Sequence, residues 1–263
     1  MFKREIKVNL KSFIIWLSVL IGIFLVAYLM YPSIINSDNA KMIDEMLKLF
    51  PEELLKAFNM DISSLDSAFG WLKSEGFVLV LLILGCYSGL LGSNILLKEE
   101  DDKTIEYLNS LPITRERIIY SKVLVGIIYI ILMVLVFGIF NYIGLSLSGT
   151  FDKKLFLLLS ITPLFSSLVI FFVCMFISTF IKKCKKMTGI SLGIVLISYV
   201  LYTLSTLAET TEFLKYFSIF TLADIRNVIV NTSINPLTIL ISIALSIIFL
   251  ILTIVNYNDK ELI

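Results

Sequence analysis

The 263-residue sequence is 58% hydrophobic, contains no histidine and has a formal net charge of +1. The lack of histidine excludes His-based catalytic triads, His-Glu-x-x-His metalloproteases and histidine proton relays. No glycine is followed by lysine, so the chain has no P-loop, and Cys86, Cys174 and Cys184 lack the spacing of a disulfide framework or a zinc site. We therefore predict no catalytic residue, cofactor site or metal site in this chain.

Six long apolar stretches without Asp, Glu, Lys or Arg dominate the sequence. They cover residues 13–31, 77–97, 123–147, 155–181, 190–208 and 237–257. Roughly 20 apolar residues in a helix cross the hydrocarbon core of a bilayer, where backbone amides must be paired within the segment. The pattern predicts an all-α, multi-pass membrane protein with six transmembrane helices and a single domain over residues 1–263.

Basic residues are concentrated in alternate connecting segments. Most of the 22 lie before the first stretch, in residues 98–122, in the tract Lys182–Lys186 and after the sixth stretch. Short basic segments stay in the cytoplasm, so we predict that the N- and C-termini are both cytoplasmic. The lysine tract is interpreted as an anchor at the lipid headgroups rather than a nucleic-acid site.

The segment before the first stretch is amphipathic. On a helix its basic residues share one arc, and an apolar arc lies beside them: Lys3, Arg4, Lys7 and Lys11, against Phe2, Ile6, Leu10 and Phe13. This predicts an N-terminal elbow helix in the membrane interface. The composition is equally consistent with an orientation signal alone and with a mechanical elbow leading into the first span.

The two longer outer loops are predicted to form short surface helices. Residues 40–50 of the first outer loop (residues 32–76) have apolar residues at helical spacing, and Pro51 suits the first turn of a second helix. Residues 209–236 are expected to repeat this arrangement with four apolar side chains near the interface: Phe213, Phe217, Phe220 and Leu222. Substrate binding by the acidic first loop is the alternative to a purely structural role.

Glycine and proline mark three spans. Gly85, Gly89 and Gly92 in the second span allow close helix approach, and packing within the chain is favoured there over contact between copies. A similar pair, Gly189 and Gly193, opens the fifth span. In the fourth span, Thr162–Pro163 predicts a kink, because proline removes an amide donor and clashes with the preceding turn.

The loop between the second and third spans, residues 98–122, is the most informative segment outside the spans. Glu99–Asp102 precede a predicted short helix, Lys103–Asn109, whose positive end they can cap. Leu111–Pro112 forces a turn, after which Thr114 can cap the next helix with Glu116 in its first turn. A short helix held in this way would pass any push to both spans; a connector without a partner is the alternative.

This loop resembles that of type-2 ATP-binding-cassette permeases of bacterial exporters. The resemblance lies in Lys98–Glu100, Thr104–Leu108 and Ser110–Arg115, followed by Ile118 and Lys122, and the elbow and six spans fit the same family. In that family the loop forms a coupling helix that docks on a separate ATPase subunit. The resemblance implies the following coupling residues: Glu99, Glu100, Thr104, Ile105, Glu106, Tyr107, Leu108, Leu111, Pro112 and Arg115.

The resemblance also implies a function, the permease subunit of an ATP-driven exporter that works by alternating access in the cell membrane. Its partners would be the lipid bilayer, a P-loop ATPase subunit that binds ATP and Mg, and a second permease copy, in a homo- or heterodimer, packed against Gly189 and Gly193. Nucleic acid is not a predicted partner. The alternatives are a non-transporting membrane scaffold and a self-contained secondary transporter or channel, which the lack of charged residues within the spans disfavours.

Overall fold

The computed structural model describes residues 2–34, 67–105, 114–207 and 209–260. Within these ranges the chain is almost entirely helical and contains no strand. The α-helices are α1 (Phe2–Ile34), α2 (Ala68–Trp71), α3 (Phe77–Asp101), α4 (Arg115–Ser148), α5 (Lys153–Ile161), α6 (Pro163–Ser178), α7 (Cys184–Leu207), α8 (Ile225–Asn231) and α9 (Pro236–Asp259).

The described residues contain six helical segments that are long and apolar enough to cross a membrane. They are α1, α3, α4, the α5–α6 pair, α7 and α9, which confirms the six spans predicted from the sequence. Several helices continue past the apolar stretches into charged sequence, because solvated side chains do not interrupt a helix. The basic segment before the first stretch is thus continuous with the first span in α1, and its four basic side chains are exposed.

α3 lies at the centre of the bundle, between α6 and α7. A methyl group added at Gly92 would lie 2.2 Å from the carbonyl oxygen of Phe171 in α6, so the two helices meet there backbone to backbone. Added at Gly85, it would lie 2.8 Å from the ring of Phe220, and Gly89 is in ordinary contact with α6 and α7. The prediction that these glycines serve packing within the chain is confirmed.

The fourth span is interrupted where the sequence predicts a kink. α5 ends at Ile161 and α6 begins at Pro163, whose missing amide is not needed in a first turn. Thr162 joins the two helices with helical backbone angles, and both its amide and its hydroxyl donate to the carbonyl of Leu158, at 3.1 and 2.7 Å.

Residues 209–236 form two 3₁₀-helices, Glu209–Phe217 and Ile219–Ala223, followed by α8. Phe213 is exposed, as expected for a surface helix, whereas Phe220 is fully buried against Gly85. The hydroxyl oxygen of Ser198 in α7 accepts a hydrogen bond from the backbone amide of Ile219, so this donor is paired where the chain turns inward. The helices predicted within residues 40–58 lie outside the described residues.

Candidate coupling site

The acidic residues of the loop form the last turn of α3 rather than preceding a new helix. α3 continues to Asp101, and Lys103 follows in the left-handed conformation with φ 54°. The amide of Lys103 donates to the Glu100 carbonyl at 3.2 Å, and that of Thr104 donates to the Glu99 carbonyl at 2.9 Å. This is a Schellman motif, which satisfies carbonyls that the helix end would leave free.

Carboxylates at a helix C-terminus are unfavourable because the macrodipole is negative there. Here two of them have lysine partners from other parts of the chain. Lys122 of α4 donates to both carboxylate oxygens of Glu99, at 2.7 and 2.8 Å, and to the carbonyl of Ile95 at 2.5 Å. Charge-assisted hydrogen bonds of this length are the strong ones. The end of α3 is therefore fixed to the first turns of α4.

A third helix contributes to the same cluster. Glu5 of α1 lies 3.4 Å from the ammonium of Lys122, and Glu5, Glu99 and Lys122 are 2%, 6% and 1% exposed. Such burial makes the cluster sensitive to the loss of one member, since an uncompensated buried charge is strongly destabilising. We name Glu5, Glu99 and Lys122 the three-helix cluster, because it joins α1, α3 and α4 beside the loop.

Glu100 contacts the C-terminal end of the chain. Its carboxylate accepts two hydrogen bonds from Lys260, at 2.8 and 2.7 Å, just beyond the end of α9. Lys260 also donates to the carbonyl of Ile181, which follows α6, at 3.3 Å. This ion pair is only slightly exposed: the exposed fraction is 13% for the Lys260 side chain and 9% for the Glu100 side chain.

Arg115 also binds the end of α9, from the opposite flank of the loop. Thr114 caps α4 and Glu116 lies in its first turn, as predicted. From this turn the Arg115 guanidinium donates to the carbonyls of Asn258 at 2.9 Å, Lys260 at 3.0 Å and Tyr257 at 3.4 Å. A cation on terminal carbonyls is favourable for both hydrogen bonding and the helix dipole.

The predicted coupling residues fall into three sets. Glu99, Glu100 and Arg115 are engaged within the chain, as described above. Thr104 is exposed, while Ile105 is 1% exposed and therefore not available to a partner in this conformation. The others lie outside the described residues, and their docking role stays a prediction: Glu106, Tyr107, Leu108, Leu111 and Pro112.

Two further predicted features lie on α7 and just before it. The lysines of the tract Lys182–Lys186 are exposed, near the Ile181 carbonyl that Lys260 contacts. A methyl group added at Gly189 or Gly193 would meet no atom of the described chain within 4 Å. These two glycines thus face open space in the single chain, in contrast to those of α3.

Sequence reasoning did not find Glu5. It treated Lys260 only as a topological charge, and Lys122 as a topological charge and part of the family resemblance, without a partner for either. Glu5 is the single acid in a strongly basic segment, and it shares the buried side of α1 with Phe13, Leu20 and Phe24. An isolated acid on the apolar side of a helix is a signal that could have found it, because a buried carboxylate needs a cationic partner.

The fold and these contacts define a multi-pass membrane protein in which one short charged loop is joined to both ends of the chain. The chain belongs to the ABC-2 family: the family model described as "ABC-2 family transporter protein" matches residues 1–262. Comparisons with curated proteins and with solved structures give no match.

Proposed function

We propose that this chain is the permease subunit of an ATP-driven exporter, coupled to a separate ATPase subunit through the loop of residues 98–122. The observation that carries the proposal is the family membership over residues 1–262. The geometry of the loop supports it, because both flanks are fixed by short charged contacts, at 2.7 Å for Lys122–Glu99 and for Lys260–Glu100. Flanks fixed in this way would pass a displacement of the loop on to α3, α4 and α9.

In this proposal the ATPase subunits bind ATP and Mg, and the permease supplies the path across the membrane. Closure of the ATPases on ATP would push the docked loop, and the push would reach α3 and α4 directly because these helices form its two flanks. The spans would then exchange between inward-open and outward-open arrangements. Binding of ATP can drive this exchange only if the assembled complex has different affinities for ATP in the two arrangements.

A second permease copy is part of the proposal. The open space beside Gly189 and Gly193 supports contact between copies there, since small residues allow two helices in lipid to approach closely. Replacing Gly193 by Leu should leave the single chain folded and reduce the dimer fraction in detergent. An unchanged dimer fraction would place the contact elsewhere.

The proposal requires that the loop and the lysine tract face the cytoplasm. Cys184 lies within that tract, whereas Tyr216, 80% exposed, lies in the 3₁₀-helix after α7, at the other end of that span. In intact cells a membrane-impermeant thiol reagent should label Tyr216→Cys and should not label Cys184. Labelling of Cys184 from outside would reverse the orientation.

Affinity purification of the tagged permease from its native membranes tests whether the permease has an ATPase partner. We expect a P-loop ATPase to be recovered in comparable amount, with ATP hydrolysis in the complex and none in the permease alone. ATP hydrolysis by the isolated permease, or its purification without any ATPase under mild detergent conditions, would contradict the proposal.

A further inference from the structure

α9 contributes little of its apolar surface to the interior, because only 11% of an 18-residue apolar segment of this helix is buried. It packs mainly along α6, and a groove of about 410 Å³ lies between α9, α4 and α6. The groove is lined from all three helices: Val123, Ile127, Leu168, Phe172, Ser246 and Leu250. Side-chain packing therefore leaves α9 incompletely supported along α4.

The end of α9 is bound differently from its body. Arg115 donates to carbonyls of its last turn, and Lys260 binds Glu100. In addition, Asn256 donates to the hydroxyl of Thr179, at the end of α6, at 2.6 Å. Two of these contacts belong to residues on the two flanks of the coupling loop, Glu100 at the end of α3 and Arg115 at the start of α4.

We propose that Glu100 and Arg115 are positioning residues that make α9 move with the coupling loop, so that ATPase closure shifts the sixth span as well as the second and third. We call these two residues and Lys260 the α9 anchor. The inference deepens the proposed function and rests on it for the source of the push. It also changes the role of two predicted coupling residues, which hold a helix of the permease itself.

When the loop is displaced, either the contacts of the α9 anchor break or α9 moves with the loop. The ion pair of the anchor is only slightly exposed, so it is little screened by solvent, and Arg115 donates to several carbonyls at once. The groove offers α9 room to shift beside α4, and the groove begins at Val123, directly after Lys122 of the three-helix cluster. Displacement of α9 thus meets less resistance than rupture of the anchor.

The first experiment uses the purified permease alone, with its three cysteines replaced by alanine. A nitroxide label is placed at Val255, which is 56% exposed on the last turns of α9. We expect an immobilised spectrum, loss of the immobile component in Lys260→Gln and in Glu100→Gln, and its recovery in the charge-exchanged pair Glu100→Lys with Lys260→Glu. Lys183→Gln, an exposed lysine at the same end, is the matched control and should have no effect.

Unchanged label mobility in both single variants, or no recovery in the exchanged pair, would overturn the anchor. The second experiment adds the ATPase and ATP with Mg. The label should respond to ATP in the parental chain and in the exchanged pair, but not in the single variants, although these still bind the ATPase and hydrolyse ATP. An equal response in the single variants, or no response in a parental complex that hydrolyses ATP, would refute the movement of α9.

Failure of the parental permease to bind any ATPase would count against the proposed function instead. The mobility measured in the permease alone would then still decide whether the anchor exists.

Discussion

α3 and α9 have nearly the same length, 25 and 24 residues, and both are strongly apolar, yet they are held in opposite ways. In α3, 67% of an 18-residue apolar segment is buried within the bundle, whereas in α9 the corresponding share is 11%. α3 is in contact along its length, through glycines that meet α6, α7 and Phe220. α9 is held at its end by Arg115 and by Lys260 on Glu100.

The difference follows from the solvent of a membrane helix. Lipid tails are as apolar as leucine, so there is little hydrophobic drive to bring spans together. Two means remain, close van der Waals packing at small residues and polar contacts that solvent does not screen. The central helix α3 is held by close packing at its glycines, and the end of the peripheral helix α9 is held by polar contacts. A peripheral helix that packs mainly along one neighbour and is bound by polar contacts at one end can follow that end more easily than the central helix can.

The largest expected effect comes from breaking the close packing of α3. Gly92→Ala places a methyl carbon 2.2 Å from the Phe171 carbonyl oxygen, and the helix backbones must separate because neither atom belongs to a flexible side chain. Overpacking typically costs about 1–3 kcal/mol and more where backbone must shift, so we expect a loss of about 3 kcal/mol or more here. We expect a lower melting temperature in detergent and a lower monodisperse yield. Gly22→Ala, at an exposed glycine of α1 whose added methyl group meets no atom within 4 Å, is the control and should not lower the melting temperature.

Next in size is the three-helix cluster. Lys122→Met removes the only ammonium in contact with Glu5 and Glu99 among the described residues, and leaves two buried carboxylates without it. Breaking a buried pair in this way costs about 3–5 kcal/mol in water-soluble proteins. The cluster lies near the end of the bundle, where relaxation lets water reach the freed carboxylates, so we expect a net loss of about 2 kcal/mol, below that of Gly92→Ala. Thermal melting measures the loss, and Lys186→Met, at an exposed lysine, serves as the control.

The variant Lys122→Met combined with Glu5→Gln and Glu99→Gln should regain most of the stability, since no unpaired charge then remains. A single variant that melts like the parent would show that the cluster is solvated and contributes nothing to holding α1 on α4.

The smallest effect sharpens the description of the loop itself. Lys103 adopts φ 54°, a conformation that L-residues reach at a cost of roughly 1–2 kcal/mol and that glycine reaches freely. Lys103→Gly should therefore raise the melting temperature slightly. Lys98→Gly, at an exposed position inside α3, should lower the melting temperature, because glycine within a helix costs about 1 kcal/mol of stability. Destabilisation by both substitutions would argue against the Schellman end of α3.

Much of the fold could be predicted from the sequence because lipid imposes simple rules. A run of about 20 apolar residues has to be a helix, and Pro163 and the glycines of α3 act through local backbone sterics. The end of α3 could not be predicted in this way. Glu99 and Glu100 look like N-terminal capping acids for the next helix, and only their lysine partners, far apart in sequence, make a helix C-terminus tolerable for them.

The site was predictable as a segment but not as a set of contacts. Charge and turn residues identify residues 98–122, and Thr114 does cap α4 as the pattern indicates. Arg115 is one of the coupling residues that the resemblance implies, and the structure shows that it binds the end of α9, 142 or more positions further along the chain. Contacts over such separations leave no periodic pattern in a single sequence.

We propose that a separate ATPase docks on the predicted coupling helix of this permease, and co-purification tests this docking most directly. Glu106→Lys reverses a charge and Leu108→Asp introduces a carboxylate, at two positions outside the described residues. In an interface, an unpaired buried charge costs several kcal/mol, and about 1.4 kcal/mol is a tenfold change in Kd. On a solvated connector, both changes would cost about 0.5 kcal/mol or less.

The double variant should therefore reach the membrane at parental levels and lose the ATPase on purification. Tyr216→Asp, at a residue 80% exposed in the 3₁₀-helix after α7, should retain it. Recovery of the ATPase with the Glu106→Lys, Leu108→Asp variant at the parental ratio would contradict docking through this helix.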